Sequence, residues 1–218
     1  MKLGILGGTF DPIHLGHLRV AEEIVEDLGL KKVYIIPSAA PPHKTGRLVT
    51  PFRHRLAMAL LATKDVPLLE VMDLESKRQG PSYSIETLKE LNTIFRPDPD
   101  LFFIIGVDAF LEIKTWKEYR DLFNYTNFVI IERPGYEYIK LGQFIKTLGL
   151  KLGKIDIPND CIAHGTKNIL IKKTTHLDIS STDIRKRIAK EKSIRFLTPS
   201  RVYQYISQKG LYKINAIT

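Results

Sequence analysis

Apolar and polar positions in this chain switch between two spacings. Short, nearly continuous apolar runs alternate with longer stretches in which apolar residues recur three and four positions apart. KLGIL (2–6) is the first run, and its glycine borders fit a buried strand. Leu18, Ala21, Ile24, Val25 and Leu28 then share one helical face, and Gly29 supplies a stop. Further strands are expected at VYIIPS (33–38), LLEVMDL (68–74), LFFIIG (101–106), NFVIIER (127–133) and NILIKK (168–173). LFFIIG is the most apolar and is expected at the centre. Thr50 as N-cap with Pro51 at the first position opens a helix to about Thr63. SIETLKELNTIF (84–95), the stretch carrying Trp116 and YIKLGQFIKTLGL also read as helical. A basic helix over about 182–190 is capped by Ser180 or Ser181, and Thr198-Pro199 opens a last one, stopped by Gly210. Residues 150–167 read as loop or irregular strand.

Strands alternating with helices imply an α/β fold built on an open parallel sheet with helices on both faces. The expected organisation is a single domain over 1–218, with a helical portion from about 180 to 218 packed on it. Cys161 is the single cysteine, so no internal disulfide can form and a reducing cytoplasm is the default compartment. No apolar run approaches a membrane span, and the first residues lack a secretory pattern. The net charge of +9 comes from lysines and arginines spread along the chain. There is no arginine-rich arm, aromatic RNA-binding signature or zinc-finger spacing, which disfavours nucleic acid as a partner. The basic excess leans weakly toward small phosphate-bearing ligands. A homo-oligomer is compatible with the sequence.

The chemistry concentrates in two places. GGTFDPIHLGH (7–17) follows the first strand and opens the first helix, where open α/β sheets bind ligands. Gly7 and Gly8 would let backbone N–H groups approach an anion without Cβ interference. The motif is neither GxGxxG nor a Walker loop. His14 and His17 lie three apart, so they can address one object, and Gly16 leaves room beside them. A zinc reading would need a third ligand, and Cys161-x-x-His164 is the other candidate. A purely structural histidine pair is the plainer alternative. ISSTDIR (179–185) repeats the physics: Ser180, Ser181 and Thr182 offer hydroxyl and N–H groups at a helix start, with Arg185 one turn on. Alone it reads as ordinary capping. Beside the first motif it suggests a triphosphate clamped between two helix tips.

Together these motifs resemble the HxGH nucleotidyltransferase superfamily. IPSAAPPHK (36–44), SYS…TL (82–88), IIGVDAF (104–110), the Trp116 region, ERPG (132–135) and the closing LTPSRVYQYISQKGLY narrow the likeness to bacterial nicotinate-nucleotide adenylyltransferases. The likeness fades only around 136–168. It implies a Rossmann-like fold, ATP with Mg2+ carried on its phosphates rather than on protein ligands, and nicotinate mononucleotide as acceptor. Carried over position by position, it implies that His17, His14 and Arg185 act on the phosphates. Gly7, Gly8, Thr9, Phe10, Gly106, Asp108, Arg133, Ile179, Ser181 and Thr182 would bind ATP. Lys44, Tyr83, Ser84 and Trp116 would bind the acceptor. Ser84 stands where the family usually has threonine, Glu86 where aspartate is frequent, and Leu15 where isoleucine is frequent. Plainer readings remain beside these: Asp108 as a helix N-cap, Trp116 as core, Lys44 as a solvated lysine. Rival functions are a related transferase, such as the phosphopantetheine enzyme, and a nucleotide-sensing or nucleic-acid-binding module without turnover.

Overall fold

The structure, a computed structural model, describes residues 1–42, 49–97, 99–133, 135, 138–150, 152–156, 161–164 and 167–213, with backbone alone for 138–140, 152–156 and 161–164. The described strands are β1 (Lys2–Gly8), β2 (Lys32–Pro37), β3 (Leu69–Val71), β4 (Asp100–Gly106), β5 (Asn127–Ile131), β6 (Leu152–Asp156), β7 (Cys161–His164) and β8 (Lys167–Lys172). They form one sheet in the order β3-β2-β1-β4-β5-β8-β7-β6. Every pairing from β3 across to β8 is parallel. Strand order reverses between β1 and β4, which opens a crevice at their carboxyl ends, the usual ligand position in such sheets.

The sheet's far edge departs from expectation. Part of the segment read as loop or irregular strand is a hairpin: β7 pairs antiparallel with both β8 and β6, and its register with β6 shifts between Leu152 and Ile155. Gly153 and Lys154 interrupt the apolar run there. Pairing to β8, with Cys161 opposite Leu170 and Ile162 opposite Ile169, decides the conformation instead of local pattern.

Eight helices are described: α1 (Leu15–Leu28), α2 (Phe52–Thr63), α3 (Ser84–Ile94), α4 (Val107–Leu111), α5 (Tyr119–Tyr125), α6 (Tyr138–Lys146), α7 (Ser181–Ala189) and α8 (Ser200–Lys209). Gly29 and Gly210 stop α1 and α8 as expected, both in the left-handed region (φ 58° and 59°). In α2 the helix starts one residue late, so Pro51 occupies the capping position and Thr50 lies outside.

Period-two alternation distributes the core. In β4, Leu101, Phe103 and Ile105 point into a cluster completed by α3, α4, α5 and α6, while Phe102 and Ile104 point into one completed by α1, α2, α7 and α8. Both faces are therefore covered, as parallel sheets require. Phe128 is buried among Phe103, Phe110 and Phe123, with ring centroids 5.8, 5.8 and 4.6 Å away. Phe128→Ala is expected to lower unfolding free energy by about 3–5 kcal/mol. Leu60→Ala, at a half-exposed position, should change it by no more than about 0.5 kcal/mol. Urea denaturation of both variants checks the contrast.

Candidate active site

β1 carries Gly7 and Gly8 as strand, paired with Ile36 and Pro37 of β2, so the glycine pair is not the turn itself. The need for glycine at position 8 is steric and lies elsewhere. A Cβ there would stand 3.0–3.3 Å from the Phe10 ring. Phe10 adopts a left-handed backbone (φ 49°) and buries that ring edge-on against His17, centroids 5.0 Å apart. Phe10 thus backs His17 from the core side. At Gly7 a Cβ would meet Phe103 at an ordinary 3.6 Å, so close packing does not demand glycine there.

His14 is the extended N-cap of α1 (φ −145°, ψ 171°), and its backbone N–H donates to Nδ1 of His17 at 3.2 Å. The N–H of His17 goes to the His14 carbonyl, 3.0 Å away. Nδ1 of His14, which is buried, has no hydrogen-bond partner among the described residues. The two imidazoles stack at 3.6 Å with 27° between planes. A Cβ on Gly16 would come within 3.1 Å of His14 Nδ1, so the glycine of HxGH makes room for the first histidine.

Burial, helped by the nearby Arg133 charge, lowers the pKa of His14 to about 4. His17 is held well below its ordinary value, chiefly by burial, then by His14 and Arg133. Both imidazoles are therefore neutral near pH 7. Since Nδ1 of His17 accepts, the hydrogen-bond pattern assigns its proton to Nε2, a fixed donor.

The second motif meets the first directly. Ser180, not Ser181, caps α7: its Oγ accepts the Asp183 N–H at 3.0 Å. The Ser181 hydroxyl donates to the Pro12 carbonyl at 2.8 Å, and Arg185 Nη1 donates to the Asp11 carbonyl at 2.6 Å. Arg185 Nη2 also donates to Thr182 Oγ1 at 3.3 Å. The tips of α1 and α7 are thus fastened side by side.

Two cavities open beside this joint. One, of about 490 Å³, is lined by His14, Gly16, His17 and the residues from Ile179 to Thr182. The other, of about 370 Å³, is lined by Gly7, Gly8, Thr9, Ser38, Tyr83, Ser84 and Trp116, and again by His17. Gly106, Asp108 and Arg133 also border both. Phe10 and Arg185 line neither.

Asp108 does not cap α4. Gly106 holds that position, because Asp108 already lies in the first turn, with its carboxylate 3.5 Å from Arg133 Nε. A Cβ on Gly106 would reach within 2.6 Å of that carboxylate. The Trp116 indole packs edge-on against Phe103 at 6.1 Å and also walls the smaller cavity. Tyr83 is the N-cap residue of α3, whose tip has no side-chain cap, and Lys117 Nζ sits 4.9 Å from the Tyr83 ring centroid while paired with Glu86 at 2.8 Å. Lys44 and its neighbour His43 lie outside the described residues.

Two contributors escape sequence reading. Asp11, buried, accepts from the Tyr212 hydroxyl at 2.8 Å, a contact bridging almost the whole chain, and from the Thr50 N–H at 3.3 Å. Arg55, also buried, donates to the carbonyls of Thr9, Ser38, Ala39 and Thr50. A signal for Arg55 existed: it shares the buried face of α2 with Met58, Ala59 and Ala62, where an arginine is out of place unless paired.

A doubly wound sheet whose switch point gathers paired neutral histidines and open helix tips defines a nucleotidyltransferase-like α/β protein. Residues 5–187 match the cytidylyltransferase-like family. A relative from Desulfatibacillum aliphaticivorans, named "Probable nicotinate-nucleotide adenylyltransferase", is 45% identical over 97% of this chain and 100% of its own length. The chain therefore belongs to the cytidylyltransferase-like family and, within it, to the nicotinate-nucleotide adenylyltransferases. A Geotalea daltonii protein of the same name is 40% identical, covering 97% of this chain and 98% of that one. A Plasmodium falciparum nicotinic acid mononucleotide adenylyltransferase, solved in complex with NaAD, superposes with a TM-score of 0.74 over 97% of both chains at 22% identity, a likeness of fold.

The buried histidines predict an acid-labile fold. Unfolded histidine binds protons below about pH 6.5, whereas folded His14 resists them down to about pH 4. Stability is therefore full above pH 6.5 and falls as pH drops through that window, by about 3 kcal/mol for His14 alone. Denaturant unfolding at pH 7 and 4.5 should show the loss, with a smaller loss in His14→Gln. Equal losses in both proteins would contradict the assignment.

Proposed function

We propose that the protein transfers an adenylyl group from ATP to nicotinate mononucleotide, giving deamido-NAD and pyrophosphate, as a cytoplasmic enzyme of NAD biosynthesis. Support comes from one observation above all: His17 borders both cavities, so a donor in the larger and an acceptor in the smaller would meet at its imidazole. The whole chain serves as one nucleotidyltransferase domain, with its C-terminal helices packed on the sheet.

In this reading ATP lies in the larger cavity. Its triphosphate runs past His14 and His17 toward the tip of α7, and its ribose lies near Gly106 and Asp108, once Arg133 yields. The free N–H groups of a helix start suit the β- and γ-phosphates, and Ser180 to Thr182 present them. Arg185 keeps that tip locked to the turn leading into α1 and adds positive charge beside the departing pyrophosphate. The acceptor's pyridine ring lies against Trp116. Its carboxylate takes the uncapped tip of α3 at Tyr83 and Ser84, whose N–H groups favour nicotinate over nicotinamide. Lys44 is assigned to the acceptor phosphate.

The acceptor's phosphate, with a second pKa near 6, is already largely dianionic at neutral pH. One of its oxygens attacks the α-phosphorus, the bond from that phosphorus to the bridging oxygen breaks, and pyrophosphate departs with the electron pair. No general base is needed. Positioning and charge neutralisation carry the rate. His17 donates from Nε2 to the α-phosphate, and that fixed N–H dipole gains strength as negative charge builds on the phosphate oxygens. Among the described residues no group of three His, Cys, Asp or Glu gathers here, and the donor set is mostly N–H, which suits phosphate oxygens better than a hard cation. Mg2+ would be carried by the phosphates of ATP, where it would neutralise charge on the triphosphate.

His17→Ala should fold normally yet lose turnover on the order of a hundredfold, consistent with about 2.7–4 kcal/mol for one transition-state donor. Pyrophosphate release with ATP and a panel of mononucleotides measures it. Absence of release from the wild-type protein with every mononucleotide would favour a binding module.

A further inference from the structure

Arg55 takes no part in the scheme above, yet it is 1% exposed and holds more of the site's backbone than any other described side chain. Burying a guanidinium is costly unless its N–H groups are met. Here Nε donates to Thr50 O at 2.8 Å, Nη1 to Thr9 O at 2.8 Å and to Ser38 O at 2.6 Å, and Nη2 to Ala39 O at 3.2 Å. Those carbonyls belong to three separate stretches: the turn after β1, the exit of β2, and the approach to α2. The tie continues beyond them. Ala40 exchanges two hydrogen bonds with Ser82, its N–H donating to Ser82 Oγ and its carbonyl accepting from the Ser82 N–H, each 2.9 Å long. Ser82 directly precedes Tyr83 and Ser84 at the tip of α3.

Thr9 and Ser38 line the smaller cavity and do not line the larger one, as do Ser82, Tyr83 and Ser84. We infer that Arg55 is a positioning residue for the acceptor: one buried guanidinium sets the distance between the turn after β1 and the α3 tip, and so the span available to a mononucleotide. This rests on the reading that the smaller cavity takes the acceptor. Arg55 touches neither substrate. The planar fork of five N–H donors is what the task requires. Lysine keeps the charge but offers three donors from a single point, and cannot reach four divergent carbonyls.

The test is steady-state kinetics of Arg55→Lys with each substrate varied in turn, alongside circular dichroism and thermal melting. The expected result is a folded variant whose KM for nicotinate mononucleotide rises at least tenfold while its KM for ATP stays within about twofold. Arg55→Ala should lose more, and guanidinium ion at millimolar concentration should restore part of its acceptor affinity by refilling the cavity. Equal KM shifts for both substrates, or unchanged kinetics in a folded variant, would overturn the inference. So would loss of the fold in both variants, since the clamp would then hold the domain and not the acceptor site. If the wild-type protein itself fails to turn over any mononucleotide, the reading of the cavity fails instead.

Discussion

Two hydrogen bonds join parts of the chain about 170 residues apart: Ser181 to the Pro12 carbonyl and Arg185 to the Asp11 carbonyl. They bring the tip of α7 against the turn that leads into α1. Without them each helix start would be an ordinary anion-friendly terminus of modest strength. With them the two tips share one cavity, and a chain of phosphates can touch both at once. The contacts go to backbone carbonyls, so the joint does not use the side chains of Asp11 and Pro12 directly. It depends instead on the path of the turn, which the buried Asp11 carboxylate holds through Tyr212 and Thr50.

The electrostatics of the site follow from burial. In a histidine pair packed ring on ring beside an arginine, with His14 buried, both imidazoles are held below their ordinary pKa and are neutral at pH 7. The resting site is therefore a set of oriented neutral donors instead of a cationic patch. Such donors need little rearrangement when an anion arrives, and preorganisation of this kind is what in-line phosphoryl chemistry rewards. The protein's net positive charge is a separate matter, spread over the surface, and acts on approach more than on chemistry.

What the sequence made legible was whatever local pattern encodes. The parallel strands, the helix stops at Gly29 and Gly210, and both phosphate-suited helix starts could be read because periodicity and capping chemistry act over a few residues. Three kinds of feature could not. The β6–β7 hairpin depends on pairing to β8, and its own apolar run is broken by Gly153 and Lys154. The reason for glycine at positions 8, 16 and 106 lies in side chains that fold back on them, from Phe10, His14 and Asp108, which spacing alone does not reveal. The burial of Arg55 could be read from its place on the apolar face of α2, but its carbonyl partners could not, nor could the pairing of Asp11 with Tyr212 at the other end of the chain. Asp108 shows the limit of a rule applied without geometry: it begins a helix in sequence terms, yet the capping position belongs to Gly106.

The account stands on a bound triphosphate bridging the two helix tips with its α-phosphate at His17. A crystal structure with a non-hydrolysable ATP analogue and nicotinate mononucleotide tests this most directly. The account predicts an α-phosphate oxygen within about 3 Å of His17 Nε2, the terminal phosphates at the tip of α7, and the acceptor in the smaller cavity. A nucleotide whose phosphates lie away from either tip, or whose α-phosphate faces a residue other than His17, would contradict it.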